Sequence, residues 1–126
     1  MRVIVTGSRD WEDDKPIHDA LSSLPPDTVV LHGGARGADA AAGRIARGLG
    51  LEVHTYPAQW SRYGRAAGYL RNQEMLDSAP VDLVLAFPLP QSRGTWDMVE
   101  RAKVAGVRVE VWEGGGFERT VYGAGL

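Results

Sequence analysis

Two hydrophobic periods alternate along this chain. Short, nearly continuous apolar runs predict strands over Arg2 to Thr6, Thr28 to Leu31, Leu51 to Tyr56, Val81 to Phe87 and Val107 to Trp112. Between them, apolar residues recur at helical spacing. A first helix from about Asp13 carries Ile17, Leu21 and Leu24 at i, i+4 and i+7, and Pro25-Pro26 stops it. A second, from Ala40 to Leu49, is small on every face and has Gly50 as its C-terminal cap. A third runs from about Arg65 to Ser78, ended by Pro80, and a fourth carries Met98, Ala102 and Ala105 and closes at Gly106. Five strands alternating with four helices predict a doubly wound α/β sheet, parallel and covered on both faces. The almost wholly apolar Val81 to Phe87 is the expected central strand.

At 126 residues and 44% hydrophobic, the chain supports one domain with a real core, expected over residues 1–112. Residues 113–126, with three consecutive glycines, read as a loose tail or as a segment ordered against a partner chain. The opening Met1-Arg2-Val3-Ile4-Val5-Thr6-Gly7 is too quickly polar for a signal peptide or a membrane span, so cytoplasm is the expected compartment and no membrane partner is expected. The net charge of −2 supplies no broad basic field, which disfavours nucleic acid as a partner. The absence of cysteine excludes thiolate metal sites, and His18 and His54 lack partners at ligand spacing, so no metal site is expected.

In open α/β sheets ligands bind beyond the carboxyl ends of the strands. The chemistry of this sequence collects there. The first loop carries Gly7-Ser8-Arg9-Asp10; the second is His32-Gly33-Gly34-Ala35-Arg36-Gly37-Ala38-Asp39. The third holds Trp60 and Tyr63, and the fourth Arg93-Gly94-Thr95. Glycines admit close backbone approach, and the first turn of a helix has unpaired N–H groups, so the Gly33–Gly37 loop reads as a phosphate cradle with Arg36 as a forked clamp. The alternative is a tight strand-to-helix turn with no ligand.

Arg9, Arg36 and Arg93, with Arg71 nearby, suit a ligand with one or two phosphates; the alternative pairs them with Asp10, Asp39 or Asp97. Thr95 is either a helix cap alone or a cap that also touches an anion. Trp60 or Tyr63 would stack on a base, or fold back as a lid. His32 would donate to a phosphate or cap a carbonyl. Asp10 would hold a ribose hydroxyl or a hydrated magnesium ion; no other cofactor is expected. No G-x-S-x-G, H-E-x-x-H or P-loop lysine is present, which removes serine hydrolase, zinc protease and Walker-type ATPase chemistry.

Taken together, Thr6 to Trp11 (T-G-S-R-D-W), His32 to Asp39, Pro57 to Trp60 (P-A-x-W), Ala67 to Met75 (A-G-x-x-R-N-x-x-M) and Phe87 to Thr95 (F-P…G-T) resemble the YspA-like, cpYpsA-related proteins of the SLOG superfamily. The resemblance implies a Rossmann-like fold and binding of a nucleotide derivative, such as ADP-ribose or a nucleoside monophosphate, on the Gly33-Gly34 and Gly94-Thr95 loops. It also implies a homodimer and kinship with the Lonely-guy (lysine decarboxylase-like) phosphoribohydrolases, which cleave the base from a nucleoside monophosphate. Arg71 stands at their catalytic arginine. Their glutamate is replaced by Met98, leaving Asp97, one position earlier, as the candidate carboxylate. Sensing or sequestering a nucleotide is therefore the leading expectation and N-glycosidic cleavage by Arg71 and Asp97 the second. A third, by analogy with DNA-processing protein A, is single-stranded DNA binding.

Overall fold

A computed structural model describes residues 1–113 and 118–123. The strands are β1 (Arg2–Gly7), β2 (Val29–His32), β3 (Glu52–Thr55), β4 (Leu83–Phe87), β5 (Arg108–Glu113) and β6 (Glu118–Tyr122). They form one sheet in the order β3-β2-β1-β4-β5-β6, parallel throughout except for the antiparallel β5–β6 pair. The helices are α1 (Asp14–Ser22), α2 (Ala38–Gly48), α3 (Trp60–Tyr63), α4 (Ala67–Asp77) and α5 (Arg93–Val104), with a 3-10 turn over Gly64–Ala66.

Side chains alternate across each strand, so the two faces build separate cores. Val3, Val5, Val30, Leu85 and Phe87 meet Ile17, Leu21, Ala42 and Ala46 of α1 and α2. Ile4, Leu31, Val84, Val109 and Val111 meet Met75, Met98, Val99 and Ala102 of α4 and α5. The alanine face of α2 permits close approach to the sheet, and Gly50, at φ +79°, turns the chain out of it. The Asp13 carboxylate caps α1 by accepting from the Lys15 amide at 3.0 Å.

Two expectations change. The sheet has six strands rather than five, because Glu118–Tyr122 pairs with β5 (Val109 opposite Tyr122, Val111 opposite Thr120) and is no loose tail. The remaining tail residues, 114–117 and 124–126, lie outside the described residues. Trp60 and Tyr63 lie on a short helix, not an open loop.

The chain runs outward from β1 to β3 and then crosses back to β4, so the strand order reverses between β1 and β4. There Thr6 pairs with Ala86 and Gly7 with Phe87, and both strands release their loops at one point. That crevice is where this topology places ligands.

Candidate functional site

The β1 loop is fastened over the sheet before any ligand arrives. Trp11 packs its ring edge-on to Phe87 with centroids 5.5 Å apart, and the Ser8 amide donates to the Phe87 carbonyl at 3.0 Å. The Ser8 carbonyl in turn accepts from the Ala38 amide at 3.0 Å, joining this loop to the start of α2. Gly37 makes that junction possible: its φ is +75°, and a Cβ there would lie 2.3 Å from the Ser8 carbonyl oxygen.

The loop after β2 is satisfied from within. Asp39, only 5% exposed, accepts through Oδ2 from the Gly33 amide at 3.0 Å and the Ala35 amide at 3.4 Å. His32 accepts from the Gly34 amide through Nδ1 at 3.0 Å, so its Nε2 carries the hydrogen and donates to Thr55 Oγ1 at 3.3 Å. Burial, with Arg47 and Arg71 nearby, holds the His32 pKa below its usual value and keeps the ring neutral. His32 therefore neither donates to a phosphate nor caps a carbonyl. The amides of Gly33, Gly34, Ala35 and Ala38, which the glycine pattern offers to an anion, all have partners inside the protein.

Arg71 lies across Gly33, and a Cβ at Gly33 would sit 2.0 Å from its Nη1. Nη1 donates to the Gly33 carbonyl at 2.7 Å and the Tyr56 carbonyl at 3.2 Å, while Nε donates to Asn72 Oδ1 at 3.2 Å. Burial lowers the Arg71 pKa and Asp39 opposes the shift. The converse acts on Asp39: burial raises its carboxyl to about 6, against the pull of Arg71, the two amides and Arg9.

The loop after β4 contrasts with this. Ser92, preceding α5, uses its hydroxyl to accept from the Leu89 amide at 2.9 Å and gives the helix no side-chain cap. The Gly94 and Thr95 amides, in the first turn, have no hydrogen-bond partner among the described residues. Asn72, 3% exposed, holds this turn in place by donating through Nδ2 to the Gly94 carbonyl at 3.1 Å and to Asp97 Oδ2 at 3.0 Å.

These loops enclose an open cleft of about 950 Å³. Of the residues the sequence nominates, Gly7, Ser8, Arg9, Gly33, Gly34, Arg36, Asp39, Trp60, Arg71, Arg93, Gly94 and Thr95 line it. Gly37 and Asp97 do not. Gly37 acts behind the wall, and Asp97 Oδ2 is held by Asn72 and by Arg101 Nε at 2.8 Å. The reason is helical phase: Met98 is fully buried on the core side, and one residue of rotation, about 100°, turns Asp97 toward α4 instead.

Of the arginines, Arg36 pairs with Asp10 Oδ1 at 3.4 Å between exposed side chains. Arg9 stands 5.8 Å over the Trp60 ring, and Arg93 has no ion pair among the described residues. Trp60 lines the cleft and Tyr63 lies outside it, beneath Arg62. Arg65, Tyr69 and Asn72 also line the cleft, beyond the residues the sequence nominates. Asn72 carried a readable signal, since a polar residue three before buried Met75 on one helix stripe needs internal partners. Among the described residues no cluster of three or more His, Cys, Asp or Glu could hold a metal ion, and no helix is long and apolar enough to cross a membrane.

Comparison with known proteins bears on the family and the fold. The model of the YspA, cpYpsA-related SLOG family matches residues 1–63. The Gene 61 protein of Mycobacterium phage D29 is 44% identical over 117 residues, covering 86% of this chain and 93% of that protein. The X-ray structure of DNA processing protein A from Streptococcus pneumoniae is similar in fold, with a TM-score of 0.73 and 21% identity over 90% of this chain and 50% of that one. The present chain thus spans about half the length of that protein.

Proposed function

This chain belongs to the YspA, cpYpsA-related SLOG family, and from that premise we propose that its cleft binds a phosphate-bearing nucleotide or nucleotide derivative, as a sensing or sequestering module. The observation that carries this reading is the charge of the lining. Arg9, Arg36, Arg65, Arg71 and Arg93 surround the cleft against two carboxylates, Asp10 and Asp39, in a chain whose net charge is −2. A cationic cleft in an acidic protein concentrates anions at that place alone. The open amides of Gly94 and Thr95 add donors that recognise phosphate without further side chains. Trp60, half-exposed beside Arg9, offers a face for a base.

The cleft volume suits a ligand of mononucleotide to dinucleotide size. The carboxylate that the resemblance offers for N-glycosidic cleavage is Asp97. Asp97 lies outside the lining, so the observations favour binding. A DNA-processing role, carried from the name of the Streptococcus pneumoniae protein, would use the same arginines along a strand.

The test is thermal unfolding against AMP, ADP-ribose, NAD, cyclic nucleotides, an unphosphorylated nucleoside and a single-stranded oligonucleotide. A ligand at a hundred times its Kd adds about 2.7 kcal/mol, several degrees for a domain of this size. We expect a shift with a phosphorylated nucleotide, none with the nucleoside, and about tenfold weaker binding in Arg93→Ala. A shift with the oligonucleotide alone, falling steeply with salt, would replace this reading by DNA binding. No shift with any compound would sink both.

A further inference from the structure

The cleft offers hydrogen-bond donors almost everywhere, and one buried residue does the opposite. Asp39 lines the cleft with one carboxyl oxygen, Oδ2, held by the Gly33 and Ala35 amides. Its other oxygen, Oδ1, accepts no hydrogen bond from any described residue, and no arginine lies within ion-pairing distance of the carboxylate. That oxygen is not sealed in the core but reached from the cleft, so it is open to accept from a donor on whatever fills the site. Asp10, the other lining carboxylate, is exposed and already paired with Arg36.

A phosphate is a poor partner for it, because two anions would repel each other at the cleft wall. Phosphate therefore belongs at the Gly94-Thr95 turn, on the β4 side, where amides are open and no carboxylate lines the turn. The β2 side, where Asp39 sits at the start of α2, takes the part of the ligand that donates hydrogen bonds. In a nucleotide the group next to the phosphate is the sugar, whose 2′- and 3′-hydroxyls are neutral donors.

We propose that Asp39 is a specificity-determining residue that accepts from a ribose hydroxyl through Oδ1 and makes the cleft discriminate against a nucleotide that lacks that hydroxyl. This rests on the nucleotide reading of the cleft. It also fixes the direction in which the ligand lies, phosphate toward α5 and sugar toward α2. The exocyclic amine of a base is the other donor a nucleotide carries, and the choice of probes separates the two.

The experiment is titration calorimetry with AMP, 2′-deoxy-AMP and 3′-deoxy-AMP against the full chain and Asp39→Asn. Asparagine keeps an oxygen for the Gly33 and Ala35 amides but puts a neutral amide where the free carboxylate oxygen stood. A hydrogen bond to a charged acceptor corresponds to roughly tenfold to a hundredfold in affinity. The unaltered protein should therefore bind AMP at least tenfold more tightly than one of the deoxy forms, and Asp39→Asn should narrow that ratio to about threefold or less. The comparison of probes on the unaltered protein stands even if the variant folds poorly. Equal binding of all three by the unaltered protein would overturn the proposal while leaving nucleotide binding intact, as would a preference that survives unchanged in the variant. An Asp39→Asn loss of affinity equal for all three probes would transfer the contact to the base amine and overturn the hydroxyl assignment. Binding of none would remove the nucleotide reading and this inference with it.

Discussion

The two glycine loops of the cleft look alike in sequence and behave differently in three dimensions. The loop after β2 carries an internal anion: Asp39 occupies the Gly33 and Ala35 amides, and His32 takes that of Gly34. The loop after β4 has no such occupant, and the Gly94 and Thr95 amides stay open. A glycine in the first loop is there because something presses on it, as Arg71 does on Gly33; Gly94 has nothing within 4 Å of where a Cβ would stand. Glycine content thus reports close approach of the backbone, and only the hydrogen-bond partners report whether an anion has room.

Substitution at the glycines separates the loops most sharply. Gly37→Ala places a Cβ 2.3 Å from the Ser8 carbonyl oxygen at a φ of +75°, and should cost about 4 kcal/mol, near 15 °C in Tm. Gly94→Ala meets open space on a helix and should leave stability within about 0.5 kcal/mol or raise it. Comparable losses in thermal unfolding would mean that the two loops are under equal constraint.

A smaller effect tests the internal anion. Asp39 has its carboxyl raised to about 6 in the folded chain, against about 3.9 when unfolded. Between those values the folded state binds the extra proton, so Asp39's contribution to stability is full below pH 4 and declines as pH rises to about 6. Two units correspond to about 3 kcal/mol. The unfolding free energy of Asp39→Asn from urea titration, minus that of the unaltered chain, should climb by up to that amount from pH 4 to pH 6 and then level. Parallel curves would place the titration elsewhere.

The two loops are also tied together, through Asn72 to Gly94 and through Arg71 to Gly33. Asn72→Ala removes that link and strands part of Asp97's hydrogen bonding, and should cost about 2 kcal/mol. Amide hydrogen exchange should rise in both loops together. Exchange confined to α5 would show that the clip serves only one of them.

Much of this was legible beforehand, for identifiable reasons. β1, β2 and β4 announce themselves as apolar runs because both faces of a parallel sheet are covered. The convergence of the four loops follows from topology and needs no side-chain detail. What escaped depends on partners distant in sequence. β6 is polar, Glu-Arg-Thr-Val-Tyr, and is a strand because β5 offers it an edge. Occupation of the Gly33 amide by a carboxylate six residues later cannot be read from glycine spacing. Asp97 stands beside the motif in sequence, and a single step of helical rotation sends it to Asn72 and Arg101 instead.

The antiparallel strand β6 bears on how this domain can be trimmed. Residues 118–122 cover the outer backbone of β5, whose inward side chains Val109 and Val111 are fully buried, and Lys103 stands 3.8 Å over the Tyr122 ring to hold the cover down. A chain cut after residue 112 would keep every cleft residue and still present a bare row of main-chain donors and acceptors along an apolar strand, an invitation to edge-to-edge self-association. Solubility of the shortened protein would then fail for reasons unconnected with the ligand, and fusion tags or partner sequences are better attached beyond Tyr122 than in place of it.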